Sequence, residues 1–97
     1  MPQLFWTKRA TQELFENLQF VLENWTEKEA KAFNKELNRI LKIIVSNPKC
    51  FQRTNISHVH VVPIIPKVSL FYRLEKNGDI TILCLWNNQL NPNSRKL

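Results

Sequence analysis

"LFYRLEKNGDITILCLWNNQLNP" spans residues 70–92. Two apolar runs flank the dipeptide Asn77-Gly78. A type I′ turn needs positive φ at both central positions, and Asn-Gly supplies it. The runs therefore read as antiparallel strands. A two-residue turn would set Lys76 opposite Asp79, Arg73 opposite Ile82, Phe71 opposite Cys84 and Ser69 opposite Trp86. Side chains alternate between the two faces of a sheet. One face would carry Val68, Leu70, Tyr72 and Leu74 beside Thr81, Leu83 and Leu85, and this is the better core face. The other would carry Ser69, Phe71, Arg73 and Glu75 beside Ile80, Ile82, Cys84 and Trp86.

Upstream, "ISHVHVVPI" (residues 56–64) alternates as a further strand. A tight turn at Ile65-Pro66 would set His60 opposite Phe71 and His58 opposite Arg73, with Val59, Val61 and Pro63 on the core face. Arg73 would then sit on a mixed face, apolar around Phe71, Ile82 and Trp86 and basic around His58 and His60. A sheet face of that kind, left uncovered by helices, suits a partner. The plainer alternative is that Arg73 pairs with Glu75 or a helix carboxylate and does nothing else.

The first half reads as helical. "QLFWT" (residues 3–7) is a short strand candidate, and Thr7 looks like a helix N-cap. Ala10, Leu14, Leu18, Val21 and Trp25 recur at helical spacing, with Gln12, Glu13, Glu16, Asn17 and Glu23 between them as the polar side. "TEKE" (residues 26–29) fits a capping box, Thr26 with Glu29. Ala30, Phe33, Leu37, Ile40, Leu41 and Ile44 then mark a second apolar stripe. Lys28, Lys31, Lys35, Glu36, Arg39 and Lys42 form its solvated face. Pro48 ends the helix, because proline disfavours helical ψ in the residue before it. The link between the helices is short enough to require an antiparallel hairpin. "KCFQRTN" (residues 49–55) reads as a loop, and "NPNSRKL" (residues 91–97) as a polar tail.

The 97 residues suffice for one domain, 1–97, with one modest core. An apolar fraction of 43% and a charged fraction of 23% belong to a folded chain. No signal-like segment and no span of about 18 apolar residues is present, so a cytoplasmic address and no membrane contact are expected. Cys50 and Cys84 read as buried reduced thiols. A zinc site from His58, His60 and Cys84 lacks a second ligand pair, and neither metal nor cofactor is expected. The net charge of +6 is uneven. Residues 1–48 carry seven Lys and Arg against six Glu, whereas residues 49–97 carry seven against Glu75 and Asp79. An anionic partner follows, either nucleic acid or an acidic protein segment.

The order strand, two-helix hairpin, three antiparallel strands, with "LFYR" at 70–73, "ITILCLWNNQLNP" at 80–92 and "FWTKRATQELFENL" at 5–18, resembles the RelE/ParE superfamily of bacterial type II toxins. The resemblance covers nearly the whole chain and implies an α+β fold with a small twisted sheet. It also implies a cognate antitoxin, acidic or partly disordered, and a role such as plasmid stabilisation. RelE-like members cut mRNA on the ribosome; ParE-like members poison DNA gyrase and are not nucleases. A third reading is a non-toxic interaction module using the same sheet face.

Cleavage by the neighbouring 2′-hydroxyl needs a base, an acid and positive charge on the phosphate. The resemblance gives Arg73 the last role, as the family's strand-three arginine. His58 and His60 titrate near neutrality and are the acid–base candidates. Arg53, Lys67, Arg95 and Lys96 are candidates for holding the nucleic-acid backbone. Phe71, Trp86 and Asn87 are candidate partner contacts. The segment "WNNQLNPNSRKL" (residues 86–97) departs from the nuclease pattern, having no Tyr or His, and its amides cannot exchange protons usefully.

Overall fold

The computed structural model describes residues 3–87. Within them the order is β1 (Leu4–Trp6), α1 (Lys8–Asn24), α2 (Glu27–Ser46), β2 (Gln52–Arg53), β3 (Val59–Ile65), β4 (Val68–Leu74) and β5 (Ile80–Asn87). The five strands form one sheet in the order β1-β5-β4-β3-β2. Only β1 runs parallel to its neighbour; the other pairings are antiparallel. The architecture is the expected α+β arrangement, with two additions. β1 joins beside the last strand, and the loop expected at 49–55 contributes a two-residue edge strand.

Both helix starts follow from their caps. The Thr7 hydroxyl accepts from the Ala10 N–H at 3.0 Å. Thr26 and Glu29 form the reciprocal capping box, each side chain accepting from the other's backbone N–H. Phe33, Leu37, Ile40 and Ile44 of α2 are buried as the periodicity requires. In α1 the buried set is Ala10, Asn17 and Val21, so Asn17 belongs to the sheet-facing side and not to the polar side. α1 packs on β5 and α2 on β3, and the main core lies between the helices and the sheet.

The β4–β5 hairpin is one residue longer at its tip than Asn77-Gly78 alone suggests. Glu75 N–H donates to the Asp79 carbonyl at 2.9 Å, and Gly78 N–H to the Glu75 carbonyl at 3.0 Å. Gly78 takes φ +93°, and Asn77 does not have positive φ. The loop is thus Lys76-Asn77-Gly78, the three-residue form with glycine in the left-handed position. Arg73 consequently pairs with Thr81, Tyr72 with Ile82 and Leu74 with Ile80. A bulge between Phe71 and Tyr72 leaves Leu83 without a partner in the ladder. Beyond it the expected pairs, Phe71 with Cys84 and Ser69 with Trp86, are restored.

This local shift exchanges faces, because one residue of slip reverses every side chain. Ile80 and Ile82 lie in the main core with Leu70, Tyr72 and Leu85. Leu83 packs instead with the cluster on the opposite sheet face. The β3–β4 register is also displaced. Ile65 pairs with Val68 around Pro66-Lys67, and after an irregularity at Ile64 the pairs are Pro63 with Ser69, Val61 with Phe71, His60 with Tyr72 and Val59 with Arg73. Here the turn itself keeps the expected parity, and the irregularity at Ile64 reverses it. Val62 and Ile64 therefore face the helices, while Val59 and Val61 face away.

Candidate functional site

Arg73 points away from the helical layer. Its neighbours in β4, Tyr72 and Leu74, belong to the main core or pack on it, and alternation sends Arg73 to the other face. Its side chain is 46% exposed. Across the strands it stands between Val59 and Thr81. The guanidinium is held by Glu75, with Nε and an Nη atom each 3.0 Å from one carboxylate oxygen. Thr81 donates its hydroxyl to that same oxygen. These two hydrogen bonds, Thr81 first, hold the Glu75 carboxyl below the usual carboxylate range. The Glu75 pairing of the plainer alternative thus exists, and it leaves Arg73 at the surface.

Arg73 lines an open cleft of about 390 Å³. Its other walls are Thr7 and Arg9 at the start of α1, Ile56 and Ser57 from the β2–β3 loop, and Val59 and Leu83 from the sheet. Thr7 fixes one corner: its hydroxyl accepts from Ala10 N–H and donates to the Leu83 carbonyl at 3.1 Å. That carbonyl belongs to the bulged residue, on the β5 edge beyond β1. Further along this edge the Leu85 N–H donates to Glu13 at 3.1 Å, and Glu13 in turn accepts from Arg9 Nε at 3.3 Å.

The two histidines separate. His58 is exposed, with φ +65°, and lies between Ser57 and Val59 of the cleft wall. Its carbonyl accepts from the Leu74 N–H at 2.9 Å, which keeps it beside the Arg73 end of β4. His60 is on the helix side, contrary to the expectation that it flanks Arg73. It is 4% exposed, stacks on Tyr72 at 5.3 Å, and sets Nδ1 3.0 Å from the Phe51 carbonyl. The cause is the register irregularity between Pro63 and Ile65, which reverses the faces of β3 upstream of it.

Other expected contacts also move. Phe71 and Trp86 are not an exposed patch; they are 3% and 5% exposed, in a second core cluster with Val59 and Cys84. Asn87 is fully buried and donates to Asn17 Oδ1 at 2.9 Å. Lys67 is exposed in the β3–β4 turn, a β4 length of roughly 20 Å from Arg73. Arg53 is exposed on the edge strand, opposite His60. Arg95 and Lys96 lie outside the described residues. Cys50 is exposed rather than buried, Cys84 is buried, and neither forms a disulfide. Among the described residues no cluster of His, Cys, Asp and Glu is arranged to hold a metal, and no helix is long and apolar enough to cross a membrane.

Arg9 is the cleft residue that strand alternation alone does not reveal. Its signal is local. Lys8 and Arg9 occupy the first turn of α1, which has no acidic residue, whereas the helix dipole favours acids there.

Known structures share this arrangement. A chain of the chromosomal ParDE TA system from P. aeruginosa superposes with TM-score 0.71 at 18% identity, covering 90% of this chain and 96% of that one. The YoeB/ParE toxin from Agrobacterium tumefaciens gives 0.61 at 10% identity, covering 88% and 96%. A chain of the E. coli DinJ–YafQ complex gives 0.62 at 6% identity, covering 94% and 98%. The fold is that of the RelE/ParE toxins. No family model and no curated protein matches the chain by sequence. In this RelE/ParE-like fold, Arg73 stands on the outward face of the penultimate strand, the face the sequence assigned to it.

Proposed function

We propose that the chain is the toxin of a type II toxin–antitoxin module, acting as a RelE-like ribosome-dependent endonuclease on mRNA. The observation that carries the reading is Arg73, half-exposed in an open cleft on the sheet face away from the helices, within a fold shared with toxin–antitoxin toxins. A guanidinium so placed offers fork geometry to a phosphate and stabilises charge that develops on it. His58, at the same end of β4, is the remaining acid–base candidate. His60 leaves the site, since its ring is enclosed against Tyr72.

That departure is the specific support for a second reading. With one histidine instead of two near Arg73, gyrase inhibition of the ParE type requires less of the cleft. In both readings the partner in the resting cell is a cognate antitoxin. Its contact moves from Phe71 and Trp86 to α1, where Phe15 and Leu22 are 63% and 73% exposed and lie seven residues apart on one side. The basic balance of the chain suits an acidic segment for this partner.

Inducible expression in a bacterial host tests the proposal. Growth arrest relieved by a small neighbouring gene supports a toxin, and cut transcripts with arrested translation support the endonuclease. A DNA-damage response with intact transcripts supports the second reading. Undisturbed growth rejects both and leaves an interaction module.

A further inference from the structure

Two guanidinium groups, not one, line the cleft, and they are held in the same way. Arg9 is fixed by Glu13, whose other oxygen accepts from the Leu85 N–H of β5. Arg73 is fixed by Glu75, whose oxygen accepts from the Thr81 hydroxyl of β5. One strand therefore anchors both carboxylates, and each carboxylate orients one arginine. Neither arginine is exhausted by its partner. A guanidinium carries five N–H donors in a rigid fork. Glu13 engages only Nε of Arg9, and Glu75 engages Nε and one Nη of Arg73. Both side chains stay open to solvent, 42% and 46% exposed.

A cation in the first turn of α1 opposes the helix dipole. The Glu13 pair is a surface i,i+4 contact and offsets little of that. The positive charge at this position is then accounted for by what the cleft binds.

We infer that Arg9 is a second phosphate-binding residue of the Arg73 cleft, so that the cleft clasps single-stranded RNA at two phosphodiester groups. This rests on the nuclease reading above and adds to it a contact from the opposite half of the chain. Phosphodiester is chosen over a protein carboxylate because the nuclease reading supplies it, and the polyglutamate arm of the test below separates the two anions. Phosphate, with its forked oxygens, can use the remaining donors of both. The lining of Ile56, Val59 and Leu83 offers no aromatic platform for a base, so the contact is to the backbone and indifferent to sequence.

The test is binding of a short fluorescent oligoribonucleotide to the whole chain across a range of salt concentrations. Arg9→Gln keeps a straight, helix-compatible side chain and is expected to weaken binding about tenfold at low salt, a loss matching one charged hydrogen-bonded contact. The slope of log affinity against log salt should fall by roughly 0.7, the value for one phosphate on a single strand. Arg9→Lys should restore the slope. If Arg73→Ala weakens binding while Arg9→Gln leaves affinity and slope unchanged, the inference fails and the nuclease reading survives. If the wild-type chain binds no free RNA, the inference fails, while the ribosome-dependent reading is decided separately by transcript cleavage on expression. If Arg9→Gln weakens binding of polyglutamate and not of RNA, the cleft is a protein-docking site and the inference is overturned.

Discussion

Tyr72 donates its hydroxyl to the Pro48 carbonyl at 2.6 Å, tying the centre of β4 to the segment that follows α2 across 24 residues of chain. Burial, with a smaller contribution from negative charge at Cys50, raises the phenol above its ordinary range near 10. The folded state thus holds this proton more tightly than the unfolded state. Its contribution to stability is complete below about pH 10 and is lost as pH rises through the unfolded and then the folded pKa. Tyr72 is the chain's one tyrosine, so its phenolate absorbance reports it alone. The folded protein should show no phenolate where a free tyrosine is half ionised. Denaturation midpoints should fall with alkaline pH more in the wild type than in Tyr72→Phe. A phenolate titrating normally in the folded protein would overturn this.

Asn17 is the polar residue that α1 turns toward the sheet. Its amide donates back to the Glu13 carbonyl at 2.8 Å and its oxygen accepts from Asn87 at 2.9 Å. Both asparagines are buried. Asn17→Leu keeps the volume and removes the acceptor, which should cost about 1–3 kcal/mol. For a domain of this size that lowers Tm by roughly 4–8 °C per kcal/mol. Thermal unfolding followed by circular dichroism measures it. A neutral outcome would mean that the buried amide pair contributes nothing net.

Gly78 takes φ +93°, and a Cβ built there meets nothing within 4 Å. Substitution should therefore carry a conformational cost without a steric clash. Gly78→Ala is expected to destabilise by about 1–2 kcal/mol, the penalty of a left-handed residue. Gly78→Asn should cost less, because asparagine tolerates that region. Equal losses for the two variants would point to a contact of the loop rather than to its dihedrals.

The helices were legible because caps are local: Thr7, Thr26 and Glu29 mark both starts without reference to anything distant. Arg73's face was legible because β4's own alternation decides it. The partners across the sheet were less so, since register depends on the turn. Asn77-Gly78 reads as a two-residue loop, but Lys76 joins it, and the bulge at Leu83 then cancels the slip. The pairs from Phe71 onward therefore match the expectation, while Ile80 and Ile82 change face. At Pro66 the pairing is displaced by two residues, which keeps the expected parity, but the irregularity at Ile64 then reverses it, and His60 goes to the helices. Arg9 was hidden for another reason. Charge summed over halves of the chain places the basic excess after residue 48, and only the packing of α1 against β5 brings Arg9 into the cleft that Arg73 lines.

The Arg73–Glu75 pair separates a structural role from a functional one. It is a half-exposed surface pair, and such pairs contribute at most about 1 kcal/mol. Arg73→Ala should accordingly fold, with Tm lowered by only a few degrees. If the guanidinium serves to neutralise phosphate, that variant should lose growth arrest entirely despite normal folding. Glu75→Gln should do the opposite. It removes the counter-charge while keeping an oxygen for Thr81, so the cleft becomes more positive and toxicity should persist. Expression of both variants, with Tm measured on the purified proteins, distinguishes the cases. Should both variants keep full toxicity, the pair is a surface ornament of the hairpin and the site lies elsewhere. Should both lose it in proportion to lost stability, Arg73 acts only through the fold.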